Sequence, residues 1–168
     1  MIIELPLVPS GGAASLAGSL VFGIGTQTNN GLGNAMVFAT DSSGNISTAY
    51  GGQSYTSFLD SGSNALYFLD SKTVGMSVCN DASTFYCPTS TKSFTATNQG
   101  ASGNTGGVSF SVANADSLFS SSNFAFSNIA GPNSNTFDWG LPFFFGRNVF
   151  TAIEGQNTPA GPGPYFAY

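Results

Sequence analysis

The chain has 168 residues, 8 acidic against 3 basic side chains, a net charge of −5, 7% charged residues and no histidine. That length fits one domain with room for an apolar core, and the charge balance leaves no basic stripe for nucleic acid or an anionic lipid surface. Without imidazole there is no Ser-His-Asp or Cys-His nucleophile pair and no His-ligated zinc, so hydrolytic chemistry rests on carboxylates or on Lys72 or Lys92.

The residue mix, rich in Gly, Ser, Asn, Thr and Phe, favours strands and turns over long helices and predicts an all-β fold, a sandwich or partly open barrel with one or two short helices. In chain order, MIIELPLVPS begins directly in an extended apolar segment, as the middle of a longer precursor does. No basic-then-apolar leader is present, and no apolar run approaches the ~18 residues that span a bilayer. SLVFGI (19–24), NAMVFAT (34–40), QSYTSFLD (53–60) and NALYFL (64–69) are strand candidates, with TNNGLGN as a turn and DSSGN (41–45) as a hairpin tip around Asp41. Between the third and fourth of these, SFLDSGSNALYF demands a sharp reversal, for which Gly62 supplies backbone angles that other residues resist.

Cys79 and Cys87 lie eight positions apart in VCNDASTFYCP, a spacing that suits a small disulfide-closed loop, two free thiols being the alternative. A disulfide and a weakly charged Ser/Thr/Asn surface point to an extracytoplasmic location: secreted, periplasmic or cell-surface. KSFTATNQGASGNTGG (92–107) reads as a polar exposed loop. GVSFSVA (107–113) and NVFTAIE (148–154) are the remaining strands. NADSLFSSSNF and LPFFFGRN are the two sites for a short helix, Asn114 suiting a cap and Pro142 a first turn.

Asp60 is the carboxylate whose setting invites chemistry. Asp-Ser-Gly is ordinary turn material, and pattern alone puts a structural turn ahead of a catalytic loop. Phe58-Leu59 before it and Ala65-Leu66-Tyr67-Phe68 after it nevertheless clamp the loop between buried strands. Asp138, directly before Trp139 without a Gly turn, and Asp41 have the wrong context for a second carboxylate. Tyr67, Trp139 and Phe143-Phe144-Phe145 read as core or interface packing.

Asp60-Ser61-Gly62-Ser63 followed by apolar residues resembles the Asp-Thr/Ser-Gly-Ser/Thr active-site loop of pepsin-like aspartic peptidases. Upstream, Gly18-Ser19-Leu20-Val21-Phe22-Gly23 is similar to the strand that opens the C-terminal pepsin lobe. Downstream, residues 139–154 resemble the segment that passes behind the catalytic loop, enters a short helix and leaves as the last long strand, and GPYFAY sits at the closing strand. A closer likeness is to an uncharacterised bacterial domain family distantly related to pepsins, in which DSGSN and FDWGLPFFFGR recur. Residues 140–148 admit two registers, one with Gly140 behind the loop and one aligning FFGRN with the Gly-Arg-Asn helix of retroviral-type peptidases.

The resemblance covers almost the whole chain and implies a single C-terminal-type lobe of the pepsin-like fold. It further implies a polypeptide substrate, no cofactor and no metal, and a second lobe, upstream or on another chain, supplying the partner carboxylate. In that scheme Asp60 is one half of a water-activating dyad, Gly62 allows close approach, Ser63 orients Asp60 and Ser61 braces the loop against the other lobe. The rival expectation is a non-catalytic surface or filament domain on the same lobe, self-associating through exposed Phe-rich stretches.

Overall fold

The computed structural model describes residues 1–168. The longer strands form where aromatic and β-branched residues alternate with small polar ones between Gly, Asn and Pro breaks. In chain order they are β1 (Ile2–Leu5), β2 (Ser19–Val21), β3 (Val37–Ala39), β4 (Ile46–Tyr50), β5 (Gln53–Leu59) and β6 (Leu66–Leu69), then, after helix α1 (Ser71–Val74), β7 (Lys92–Gln99) and β8 (Thr105–Val112). Helix α2 (Ala115–Phe119), β9 (Ala130–Gly131), β10 (Asn133–Trp139), helix α3 (Leu141–Phe144), β11 (Arg147–Ala152), β12 (Asn157–Thr158), β13 (Gly161–Pro162) and β14 (Tyr165–Ala167) complete the chain.

The fold is all-β. One sheet of five strands has the order β2-β1-β11-β14-β3, a second of seven has β8-β7-β4-β5-β10-β6-β9, and β12 and β13 form a small ribbon. The main core gathers Leu66, Phe68, Tyr86, Val108, Phe137, Trp139, Phe143 and Val149. Phe68 sits at its centre, with its ring centroid 5.1–5.9 Å from those of Tyr86, Phe94, Phe110 and Phe137. Removing a ring of this size from water contributes about 1.5–3 kcal/mol.

Each helix is a single short turn placed by a local stop and start signal. The Asp70 carboxylate accepts the N–H groups of Lys72 and Thr73 at the head of α1, and Gly75, at φ 63°, ends it. Asn114 caps α2 through the Ser117 N–H, as its position predicts. Pro142 lies in the first turn of α3.

Two expectations are corrected. Residues 92–107 are not an exposed loop: β7 pairs with β8 from Lys92↔Val112 to Gln99↔Thr105 as a long hairpin. Its polar composition hides an alternation in which Ala96 and Val108 are buried and Phe94 stacks on Phe110 with centroids 5.4 Å apart. Even its tip is anchored, because the Ala101 N–H donates to Ala39 O at 2.7 Å and the Asn104 amide donates to Val37 O. DSSGN is likewise not a hairpin tip. β3 pairs with β14 and β4 with β5 and β7, so residues 41–45 carry the chain from one sheet to the other. Asp41 closes that turn by accepting the Ser43 and Asn45 N–H groups, each at 2.8 Å.

Candidate functional site

β5 and β6 do not pair with each other. β10 runs between them, parallel to β5 (Trp139↔Leu59) and antiparallel to β6 (Asp138↔Tyr67), so residues 60–65 arch over the end of a strand covered on both faces. The arch is tied to that strand. The Asp60 N–H donates to Trp139 O at 3.1 Å, the Leu141 N–H to Ser63 O at 2.7 Å, and the Ser63 N–H closes the turn onto Asp60 O at 3.2 Å.

Gly140 lies directly behind the arch. A Cβ at that position would stand 2.0 Å from Ala65 O and 2.8 Å from Ser63 O, so only glycine lets the two backbones approach. Gly146 begins the turn into β11 and donates its N–H to Leu5 O at 2.9 Å, while Arg147 donates to Phe143 O. Gly62 has a different role from the one its position suggests. Its φ is not positive, and its lack of a side chain matters because a Cβ would lie 3.1 Å from Asp60 Oδ1.

Asp60 is half-buried, with Ser61, Gly62 and Asn64 exposed around it. The Gly62 N–H donates to Asp60 Oδ1 at 2.8 Å, and the Ser63 hydroxyl reaches Asp60 Oδ2 at 3.0 Å. The carboxylate is thus fixed at both oxygens. The same hydroxyl lies 2.6 Å from Asp138 Oδ2.

Asp138 is the residue that sequence reasoning set aside. It projects from β10 into the space under the arch, is only 8% exposed, and its Oδ1 has no hydrogen-bond partner. Burial pushes its carboxyl above the ordinary range, the Ser63 hydrogen bond pulls it back, and the Asp60 charge pushes it up again. Across the ladder, the Tyr67 phenol is raised by burial and then by the charge of Asp138, and it donates to Asn64 Oδ1 at 2.8 Å. One signal in the sequence marks Asp138: a lone carboxylate inside the apolar run FDWGLPFFF, where a charge has no solvent.

A buried polar network braces the same strand from below. The Trp139 indole N–H donates to Thr48 Oγ1 at 3.1 Å, and Thr48 Oγ1 lies 2.8 Å from Ser57 Oγ and 2.6 Å from Asn98 Oδ1. The Asn98 amide in turn donates to the Tyr168 hydroxyl at 2.9 Å. Thr48, Ser57 and Asn98 are fully enclosed, so these bonds replace water completely. Trp139, Phe143, Phe144 and Phe145 are core residues.

Beside the arch lies an apolar hollow of about 230 Å³ bordered by Asn64, Phe119, Phe124, Ile129, Leu141 and Phe145. Cys79 and Cys87 form a disulfide with a Cα separation of 4.8 Å. Asp116 approaches those sulfurs, but each is bonded to the other and offers no thiolate to a metal. No helix is long and apolar enough to cross a membrane.

A family model described as Protein of unknown function (DUF3443) matches residues 1–168. No curated protein and no solved structure matches the chain.

Proposed function

We propose that this chain, which belongs to the DUF3443 family along residues 1–168, is one lobe of a bilobed, pepsin-like aspartic endopeptidase of C-terminal-lobe type, exported to an oxidising compartment. The observation that carries this reading is the Asp60 arch. A carboxylate is held at both oxygens, by the Gly62 N–H and the Ser63 hydroxyl, on a loop locked to the strand passing beneath it. Such fixation keeps a reacting group within the narrow geometry that general acid–base catalysis needs.

A second lobe supplies the partner carboxylate across the exposed Ser61–Gly62 face. The two carboxyl groups share one proton there, because two adjacent like charges do not both ionise. One takes a proton from the attacking water while the other donates to the scissile carbonyl. The apolar hollow beside Asn64 and Leu141 is the place on this lobe for an apolar side chain of a polypeptide substrate. The disulfide supports the oxidising location.

The test is proteolysis of an unfolded protein at acidic pH by the complete two-lobed assembly. Asp60→Asn is expected to abolish cleavage while the chain stays folded by circular dichroism; cleavage that survives the substitution removes Asp60 from the mechanism.

A second reading, a non-catalytic self-associating domain of the cell surface, is favoured by one feature. Leu7, Phe22 and Phe124 are 80%, 76% and 84% exposed, large apolar side chains that a partner or a second copy would cover. Sedimentation separates the two: a closed dimer or one-to-one complex supports the peptidase lobe, and open-ended polymers support the structural domain.

A further inference from the structure

The Ser63 hydroxyl carries one hydrogen, yet its oxygen stands within hydrogen-bonding distance of two carboxyl groups, 2.6 Å from Asp138 Oδ2 and 3.0 Å from Asp60 Oδ2. Ionised carboxylates only accept, so one hydrogen serves one of the two contacts and the other would set lone pairs face to face. A second proton resolves the conflict, and its location follows from the surroundings. Asp60 is half-exposed and already accepts the Gly62 N–H at 2.8 Å, both of which favour its charge. Asp138 is more than nine-tenths buried, and its second oxygen has no partner, so as an anion it would be left unsolvated.

We infer that Asp138 is a positioning residue held in its acid form behind the site, donating its proton to Ser63 Oγ so that the single Ser63 hydrogen is directed onto Asp60 Oδ2. The 2.6 Å contact has the length of a strong O–H···O bond. The groups facing Asp138 are Asp60 from the arch, whose charge disfavours a second negative charge beside it, and the Tyr67 phenol from β6, which is neutral where a carboxyl titrates; no basic side chain offsets the Asp60 charge. When Asp138 loses its proton, the Ser63 hydrogen turns to the nearer, newly charged oxygen and Asp60 loses one of its two donors. Asp60 is therefore fully oriented only while Asp138 stays protonated, and the chain Asp138–Ser63–Asp60 is a built-in upper pH limit on the site. The hydrogen count stands by itself; that limit's bearing on catalysis rests on Asp60 being the reacting carboxylate.

The experiment is a ¹³C-carboxyl NMR titration of the full chain, parent against Asp138→Asn and Ser63→Ala. In the parent, Asp138 is expected to ionise above the ordinary carboxylate range, with the Asp60 carboxyl signal moving in step with that ionisation. Asp138→Asn, whose amide donates to Ser63 at every pH, is expected to remove that step from the Asp60 signal, and Ser63→Ala to uncouple the two signals. An Asp138 signal that ionises in the ordinary range, or an Asp60 curve unchanged by Asp138→Asn, overturns the inference. Because no proteolysis is read, failure here is distinct from failure of the peptidase reading, which shows instead as cleavage surviving Asp60→Asn.

Discussion

Gly140→Ala isolates the contact on which the arch depends. Gly140 has φ −68° and ψ −170°, a conformation any residue adopts, so the substitution strains no dihedral and its effect is purely steric. The new methyl would stand 2.0 Å from Ala65 O, well over 1 Å inside van der Waals contact, and both neighbours are backbone. Relief requires the arch and β10 to part, which breaks the Asp60 N–H to Trp139 O and Leu141 N–H to Ser63 O bonds. Overpacking of about 1–3 kcal/mol and two hydrogen bonds of about 0.5–1.5 kcal/mol each sum to about 2–6 kcal/mol. At a urea slope of about 2 kcal/mol/M that moves the unfolding midpoint down by about 1–3 M, the slope itself unchanged. Gly107→Ala is the control, since nothing lies within 4 Å of its new methyl and its φ is not positive; its stability is expected within about 0.5 kcal/mol of the parent. Equal midpoints for Gly140→Ala and the parent would refute the packing of the arch on β10.

Thr48→Val removes the hydroxyl shared by Ser57, Asn98 and Trp139 and strands buried polar groups, for an expected loss of about 2–5 kcal/mol in denaturant unfolding; a loss below 1 kcal/mol would show that the network is dispensable. Because Asp138 is raised when folded, its stabilising effect is whole below the unfolded value near ~4 and disappears as pH climbs through the raised folded value. Asp41 and Asp70, lowered by backbone and side-chain hydrogen bonds, act in the opposite sense, stabilising above the ordinary value and failing as pH falls. The stability of Asp138→Asn relative to the parent is thus expected to rise between pH 4 and pH 7, and a pH-independent difference contradicts a buried acid. Reduction of Cys79–Cys87, which closes a loop of separation eight, is expected to cost roughly 2–3 kcal/mol on chain-entropy grounds, read as a lower thermal midpoint under reductant.

What could be read along the chain was whatever short-range physics decides. Apolar runs between Gly and Asn breaks placed β5, β6, β8 and β11 within a residue or two, and Asn114 and Pro142 marked two of the three helix starts. The cysteine pairing followed from a spacing short enough to close. The 92–107 hairpin was obscured because the buried positions of β7 are Ala96 and the polar Asn98 among Ser, Thr and Gly, an alternation too weak to stand out before a second sheet gives it something to cover.

The candidate site divides along the same line. Asp60, Gly62 and Ser63 are neighbours in the chain, so their hydrogen bonds are local and the turn alone proposes them. Asp138 is 75 residues from Ser63, and nothing between them dictates that β10 should slide between β5 and β6 instead of beside them. Only burial of β10 on both faces, with Gly140 admitting the arch, brings the second carboxyl under the first and excludes the water that would have kept it ionised.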